Sequence, residues 1–289
     1  MIIHLVDGTY ELHRQFYGRY GRASDAHPQA AVIGTLSSVL KLVEEGATHI
    51  CVATDHVIES FRNNLWPDYK TSEGMEPEIV RQIPELEHSL RAMGITVWAM
   101  EDFEADDALA SGVRVACDDR RVHKVQILTP DKDLSQCVRG RRVVQVDSRN
   151  NIELDETAVK KKYGVGPQSI VDYLALVGDT SDGYPGLPGW GAKSASTVLA
   201  RYEHIMSIPN SSDQWAKDGV KIRGGEKLAA VLRDRRADAE LFRILATLVD
   251  TVDVGEVDDW KWRGPTEEFH SLVKSWGVER LAERVMTLV

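Results

Sequence analysis

The chain has 289 residues, enough to bury a large core in one long or two modest domains, and we expect two. Hydrophobic residues make up 43% of it and charged residues 28%, with no low-complexity tract, so the composition excludes a disordered protein. The net charge of −10 argues against a uniformly basic nucleic-acid binder, although local basic clusters at 120–124, 139–142, 160–162 and 217–227 still allow positively charged surface.

Five short apolar segments in the first half predict β-strands, with helical spacing between several of them. The predicted strands are 2–6, 49–54, 95–99, 124–129 and 142–146, and the predicted helices are 30–43, 77–93 and 104–115. No basic leader precedes the first strand, and no apolar run approaches the roughly 20 residues of a membrane span, so we expect a cytoplasmic protein with no membrane partner. Strands that alternate with helices predict an α/β fold with a mostly parallel central sheet flanked by helices.

The second half loses the strand pattern and takes up helical spacing. Predicted helices cover 156–163, 168–177, 193–202, 226–235, 237–249 and 267–289. A turn-forming stretch at 147–151 separates the two halves. We therefore predict an α/β domain at 1–152 and a helical domain at 153–289.

Three aspartates, Asp7, Asp55 and Asp131, directly follow predicted strands. Ligands of open parallel sheets bind at the carboxyl ends of the strands, so these side chains should converge on one edge. Further acids stand in short motifs: Glu104, Asp106 and Asp107 begin a helix, Asp133 follows Asp131, and Asp179 and Asp182 lie in a turn-rich loop.

Each of these acidic motifs has a plain structural explanation when taken alone. Acids favour the first turn of a helix, and Asx-rich turns are often merely structural. Gathered at one edge, however, the carboxylates would repel each other unless cations neutralised them, and such oxygen ligands select Mg²⁺ or Mn²⁺. Two such ions about 4 Å apart can activate a water and stabilise the attacking and leaving oxygens of a phosphodiester.

The stretch GLPGWGAK at 186–193 places glycines just before a predicted helix. A nucleotide-binding P-loop is disfavoured, because Ala192 separates the last glycine from Lys193 and no strand precedes the motif, so we expect no nucleotide cofactor. A helix-hairpin-helix over 168–202 fits better, since its free amides and helix N-terminus can grip a phosphate backbone without reading bases. The alternative is a tight helix-helix turn with no role in binding.

The order of these motifs resembles that of the bacterial and phage 5′-nucleases, a group that includes the N-terminal nuclease domain of bacterial DNA polymerase I. The matching stretches, between residue 2 and about residue 205, are LVDG (5–8), SFR (60–62), DYK (68–70), EADD (104–107), DKDL (131–134), GDTSD (178–182) and GLPGWGAKSA (186–195). The resemblance implies a PIN-like nuclease domain, 5′-3′ exonuclease or flap endonuclease activity, and a monomer that acts on DNA with 5′ ends or flaps.

The resemblance also implies roles for individual residues. It implies two Mg²⁺ or Mn²⁺ ions, the first held by Asp7, Asp55, Glu104 and Asp106 and the second by Asp131, Asp133, Asp179 and Asp182, with Asp107 assisting. Arg62 and Lys70 would contact the scissile phosphate, and the segment 69–91 would form an arch over the site. The residues implied in DNA binding are Tyr69, Gly189, Gly191, Lys193 and Ser194, and the hairpin carbonyls would hold a K⁺ ion.

Three positions depart from the family pattern without removing a ligand. Gly183 stands where relatives often have Asn, Pro130 replaces a small residue, and Trp190 is bulkier than the usual aliphatic side chain. Arg62 and Lys70 have the alternative of being ordinary surface cations. Two other functions stay open, a catalytically silent DNA-binding module and a related nuclease that acts on RNA. The complete set of nine acids speaks against the first, and the helix-hairpin-helix favours DNA over RNA.

Overall fold

The computed structural model describes residues 1–18, 27–150 and 152–288. Asn151, the last residue of the predicted turn, and Val289, the last residue of the predicted final helix, lie outside the described residues. The six strands are β1 Ile2–Asp7, β2 His49–Asp55, β3 Thr96–Met100, β4 Lys124–Leu128, β5 Val143–Asp147 and β6 Ile152–Leu154. The helices among these strands are α1 Gly8–Tyr17, α2 Ala30–Glu44, α3 Arg62–Leu65, α4 Pro77–Ala92 and α5 Ala105–Asp118. The later helices are α6 Glu156–Tyr163, α7 Ile170–Val177, α8 Ala192–Tyr202, α9 Ser212–Lys217, α10 Gly225–Asp234, α11 Arg236–Ala246, α12 Glu267–Ser275 and α13 Glu279–Met286.

The central sheet has the strand order β3-β2-β1-β4-β5-β6. Strands β1 to β5 are parallel, and only β6 pairs antiparallel, with β5. The chain builds outward from β1 to β3 and then returns to place β4 on the other side of β1, so the strand order reverses between β1 and β4. A crevice forms at the carboxyl ends of the strands where the order reverses, and ligands bind there. The predicted mostly parallel sheet with flanking helices is confirmed.

Both faces of the sheet are buried, which is why the strands are almost continuously apolar. Val6 and Val52 point to the face covered by α2 and α4, whereas Leu5 and Cys51 point to the face covered by α5. Each of the four is 2% exposed or less. The rigid strands therefore carry whatever side chains stand at their ends.

The described residues of the predicted turn, 147–150, lie between two paired strands of the sheet. The carboxylate of Asp147 accepts hydrogen bonds from the amides of Arg149 and Asn150, and the chain then pairs back on β5 as β6. The sheet therefore runs to Leu154, beyond the predicted boundary at 152. The three-residue strand gives too short a pattern to be recognised in the sequence.

The end of the chain packs on the α/β half. The indole of Trp260 meets that of Trp98 edge to face, with 5.4 Å between ring centroids. Phe269 of α12 and Val285 of α13 are fully buried in the core that α2 and α4 share. The predicted helical domain 153–289 thus includes a final part that covers the sheet. The predicted helix 267–289 is two helices, because Gly277 adopts a φ of +69° between them.

Most of the predicted arch belongs to the core. Helix α4 begins at Pro77, and its side chains at 79, 83, 86 and 90 are 1% exposed or less, packed in the same core as α2. Of the predicted arch, only residues 69–76 lie outside this helix. A further helix, α1, was not predicted. Within the described ranges, no helix combines the length and the apolar character that a membrane crossing requires.

Candidate metal centre

The carboxyl ends of β1 and β2 each carry an aspartate that is held in place by hydrogen bonds. Asp7 caps α1, since its Oδ1 accepts the Tyr10 amide at 2.8 Å, and its Oδ2 accepts the Thr129 hydroxyl at 2.9 Å. The Oδ1 atom of Asp55 accepts the amide of Ala105 at 2.7 Å, at the N-terminus of α5. A helix N-terminus stabilises a nearby carboxylate. Both acids therefore lie at the predicted edge of the sheet.

Acids from distant motifs of the sequence lie close enough together in the fold to repel one another. Burial raises the pKa of Asp7 to about 7, and the charges of Asp55 and Asp131 add to the effect. The pKa of Asp106 is also raised, by burial and then by the carboxylates of Asp131 and Asp7. Like charges at close range disfavour ionisation, so this centre needs cations to hold all its acids in the charged form.

The clearest place for a cation is formed by Asp133, Asp179 and Asp182. These three residues offer carboxylate oxygens that all lie within 4.8 Å of one another. The Oδ1 atom of Asp133 is buried and has no hydrogen-bond partner, and burial, Asp179 and Glu104 raise the pKa of Asp182 to about 7. Buried polar atoms normally have a partner, and a hard divalent ion would supply it. The residues of this cluster therefore fit the expected metal.

Two lysines of the chain lie among the acids. The ammonium of Lys70 is 3.3 Å from Asp55 Oδ2 and 3.8 Å from Glu104 Oε2, and that of Lys132 contacts Asp179. Burial acts to lower the pKa of Lys70, but the surrounding acids raise it above its ordinary value. Among the described residues, no second set of three acids brings its oxygens as close together as the cluster at 133, 179 and 182. The first predicted set of ligands is therefore more open, with Lys70 beside it.

The structure places Arg62 differently from the phosphate contact that the resemblance implied. Its side chain is 1% exposed, and all five of its N–H groups are engaged. The guanidinium donates to Glu104 at 2.8 Å, to both oxygens of Asp107 at 2.8 and 2.7 Å, and to the carbonyls of Leu245 and Thr247 at 2.9 and 3.0 Å. A phosphate contact would have to break some of these bonds, so it stays a prediction.

Asp107 is likewise occupied by protein partners. Besides Arg62, its carboxylate accepts the amide of Glu104 at 3.0 Å and the amide of Val249 at 2.8 Å. It is fully buried. Asp107 can therefore assist a metal only indirectly, by fixing Glu104.

Tyr69 and Gly183 belong to two loops that pack against each other beside the acids. Tyr69 is buried, with its hydroxyl 3.5 Å from Glu104 Oε2, so it lies beneath the site and not on an open DNA-facing surface. Gly183 has a φ of +80°, and a Cβ atom there would lie 2.0 Å from the carbonyl oxygen of Asp68. The amide of Lys70 donates to the carbonyl of Asp182 at 3.1 Å. The departure at Gly183 thus follows from the close contact between the loops.

The predicted helix-hairpin-helix is present, formed by α7, the hairpin and α8. The backbone at Gly178 and the backbone at Gly186 lie so close together that neither position has room for a side chain. Gly189 has a φ of +80°. Trp190 packs edge to face on Trp215, with 6.0 Å between ring centroids, so the bulky residue fills the core below the hairpin.

The predicted DNA contacts of the hairpin lie at its surface. Gly191 has open space around its Cα, Lys193 is exposed, and the Ser194 hydroxyl accepts the amide of Gly191 at 2.9 Å. Next to the acids, an open hollow of about 420 Å³ is lined by Asp7 and Asp131 together with Lys132 and Lys162. One of the predicted basic clusters, at 160–162, therefore reaches the centre.

Two glutamines support the acids and were not identified from the sequence. Gln145 of β5 is buried, accepts the Ser135 hydroxyl at 2.7 Å and donates to the carbonyls of Thr129 and Asp131. A polar residue inside an otherwise apolar strand was the available signal. Gln136 bridges Asp133 to the end of α11, and nothing in its local sequence indicates this.

Comparisons with known proteins match both halves of the chain. The family model for the 5′-3′ exonuclease N-terminal resolvase-like domain matches residues 2–164. The family model for the 5′-3′ exonuclease C-terminal SAM fold matches residues 165–268. A 5′-3′ exonuclease of Aquifex aeolicus is 32% identical over 219 residues, which are 75% of each chain. DNA polymerase I of Pseudomonas aeruginosa is 34% identical over 258 residues, which are 88% of this chain and 28% of the polymerase. The chain spans about a third of the length of the DNA polymerase I relatives it matches.

Solved structures share the fold at low sequence identity. A bacteriophage T5 flap endonuclease, in a pseudo-enzyme-product complex with DNA and metal ions, matches with a TM-score of 0.65 at 17% identity. The match covers 100% of this chain and 98% of that one.

Proposed function

The chain belongs to the 5′-3′ exonuclease family, and from this premise we propose that it hydrolyses phosphodiester bonds at the 5′ ends or flaps of DNA with the help of divalent metal ions. The observation that carries the proposal is the cluster of Asp133, Asp179 and Asp182, whose oxygens lie within 4.8 Å of one another. One of these oxygens is buried without a partner. A relative of the same fold has been solved with DNA and metal ions, which supports the same ligands here.

The proposal assigns two ions, Mg²⁺ or Mn²⁺, to two sets of acids. The first set is Asp7, Asp55, Glu104 and Asp106, and the second is Asp131, Asp133, Asp179 and Asp182. When bound, the ions activate the attacking water and stabilise the charge on the leaving oxygen. The protein's part is to hold the carboxylates at fixed spacing, and Asp107 contributes through its hydrogen bond to the Glu104 amide.

Lys70 is proposed to contact the scissile phosphate. Its ammonium lies beside Asp55 and Glu104, its side chain is 30% exposed, and its amide is tied to the loop of Asp182. It can therefore turn toward a phosphate at the rim while its backbone stays fixed, and a cation there stabilises the charge that develops on the phosphate oxygens. Arg62, which has no free donor, acts in this proposal on the position of Glu104.

The hairpin is proposed to hold the DNA backbone. Gly189 and Gly191 give a phosphate access to the backbone amides, while Lys193 and Ser194 stand in the first turn of α8. The exposed lysines at 160–162 on α6 extend positive charge toward the acids. A K⁺ ion on the hairpin carbonyls, and a monomeric state, stay predictions of the family resemblance.

Cleavage of a labelled 5′-flap duplex tests the proposal. We expect products with Mg²⁺ or Mn²⁺ and none with EDTA, and mapping the product ends distinguishes flap removal from stepwise exonuclease action. An RNA flap of the same sequence tests the RNA alternative.

The change Asp131→Ala should abolish cleavage and leave DNA binding intact. Asp118→Ala is the matched control, because that side chain lies at the far end of α5 and is 77% exposed. Near-full cleavage by the Asp131 variant would refute the metal assignment, and DNA binding without any cleavage by the wild-type protein would support the catalytically silent alternative.

A further inference from the structure

A single short stretch of the chain is tied to three separate segments that carry acids of the centre, those of Glu104, Asp133 and Asp179. We call residues 242–249 the brace; it comprises the last turn of α11 and the residues that follow. Its first contact is made by Phe242, whose ring stacks on Tyr184 with 5.7 Å between centroids and an interplanar angle of 23°. The backbone of Tyr184 exchanges two hydrogen bonds with that of Asp179, at 2.9 and 3.1 Å. The brace therefore supports the loop of Asp179 and Asp182.

The second contact reaches Asp133 through Gln136. The Nε2 atom of Gln136 donates to the carbonyl of Asp133 at 2.9 Å and to the carbonyl of Ala246 at 3.0 Å. Its Oε1 atom accepts the amide of Leu248 at 3.1 Å. All the hydrogen-bonding groups of this amide are thus directed at the brace or at the turn that carries Asp133.

The third contact reaches Glu104 through Arg62 and Asp107. Arg62 binds the carboxylate of Glu104 on one side and the carbonyls of Leu245 and Thr247 on the other. Asp107 accepts the amide of Val249 and the amide of Glu104. Because Arg62 and Asp107 are buried, these bonds are shielded from water.

We propose that the brace sets the spacing between the two sets of metal ligands, and that Gln136 and Arg62 are the positioning residues through which it acts. The inference rests on the proposed metal-dependent function. Its physical basis is that Glu104 belongs to the first set and Asp133 to the second, while both are tied to the same few residues of backbone. Ligand groups are held in productive geometry by hydrogen bonds from the surrounding shell, and loss of such a partner commonly weakens metal binding by about 10- to 100-fold.

In this proposal Gln136 and Arg62 act on the position of the metal ligands and not on the attacking water or the phosphate. A variant of Gln136 should therefore alter the affinity for the ions more than the affinity for DNA. The side-chain amide of Gln136 bonds to the turn of Asp133 and to Ala246 and Leu248, not to the exposed glycines of the hairpin, so the KM for DNA should be unchanged. The kcat should fall when Mn²⁺ is limiting and recover when Mn²⁺ is saturating.

The test is calorimetric titration of the full chain with Mn²⁺, using wild type, Gln136→Leu and Arg62→Lys. We expect about 10- to 100-fold weaker binding of at least one ion in each variant. The matched control is Gln82→Leu, since Gln82 is a buried glutamine of α4 whose amide donates to the Glu78 carbonyl at 3.0 Å. This control should bind Mn²⁺ like the wild type.

The outcomes separate the two proposals. If the wild type binds no Mn²⁺, the proposed function itself fails. If the wild type binds Mn²⁺ and a folded Gln136→Leu protein binds it with unchanged affinity, the brace is refuted. Folding is checked by a cooperative thermal transition, and if the leucine variant lacks one, the Arg62→Lys titration decides alone, because it retains the charge and perturbs the Glu104 side of the brace.

Discussion

The substitution Asp7→Asn should stabilise the metal-free protein, and the gain should grow with pH. Asp7 is 7% exposed, and burial followed by repulsion from Asp55 raises its pKa from 3.8 to about 7. A raised pKa means that the folded state binds the proton more tightly than the unfolded state does. The cost of ionised Asp7 to the metal-free fold therefore appears as the pH rises above 3.8 and is complete above about 7.

The magnitude follows from the same pKa difference. It corresponds to at most about 4 kcal/mol above pH 7, of which less than half is already present at pH 5. Asparagine has nearly the same shape and can still accept the Tyr10 amide. We therefore expect the gain in the free energy of unfolding to be larger at pH 8 than at pH 5, by up to about 3 kcal/mol.

The assay is urea unfolding in EDTA at pH 5 and pH 8, with the difference between variant and wild type as the measured quantity. That difference is needed because burial lowers the pKa of His4, His13 and His49, and these histidines reduce the stability of both proteins as the pH falls, independently of Asp7. In saturating Mg²⁺ the order should reverse, because the wild type gains more from bound ions. An equal gain at both pH values would refute the reasoning.

Three further changes test individual parts of the site. Lys70→Ala should lower kcat by about 10²- to 10³-fold with DNA affinity retained, which single-turnover cleavage and a binding titration would show; a loss of binding alone would contradict the phosphate contact. Gly183→Ala should destabilise the protein and reduce cleavage, because its Cβ would meet the Asp68 carbonyl at 2.0 Å, and unchanged thermal unfolding would count against the observed loop contact. Lys193→Ala should reduce the salt dependence of DNA binding, with the slope of log K against log salt falling by about 0.9, and an unchanged slope would remove Lys193 from the backbone contact.

The acids were predictable because their signals are local. Asp7, Asp55 and Asp131 each follow an apolar strand, and a parallel sheet brings strand ends together whatever the rest of the chain does. The helix-hairpin-helix was predictable for the same reason, since its glycines and helices are neighbours in sequence. By contrast, α1 was missed because the Asp7-Gly8 pair indicates a turn, although Asp7 is in fact the N-cap of that helix.

The features that the sequence could not reveal depend on contacts between distant segments. Arg62 looks like a surface cation beside Phe61, and its burial depends on Leu245, which lies 183 residues further along the chain. The packing of α4 could not be predicted for a similar reason, because the apolar face of that helix fits an exposed arch and a core helix equally well. Only the partner elements, α2 and α12, decide between the two.

The chain's own cations at the centre differ in how firmly they are held, and this difference bears on how an acidic protein can accept DNA. Arg62 is 1% exposed and has every donor engaged, so it stays when ions bind. Lys70 and Lys132 are 30% and 33% exposed and are held by acids that the ions would also bind. Divalent ions should therefore compete with the two lysines for those carboxylates, and each ammonium that is displaced becomes available to a phosphate at the same rim. Binding of the ions would then raise the positive potential that faces the DNA in two ways, through the charge of the ions and through the freed lysines. The net charge of −10 on the whole chain would therefore not oppose DNA binding at this rim.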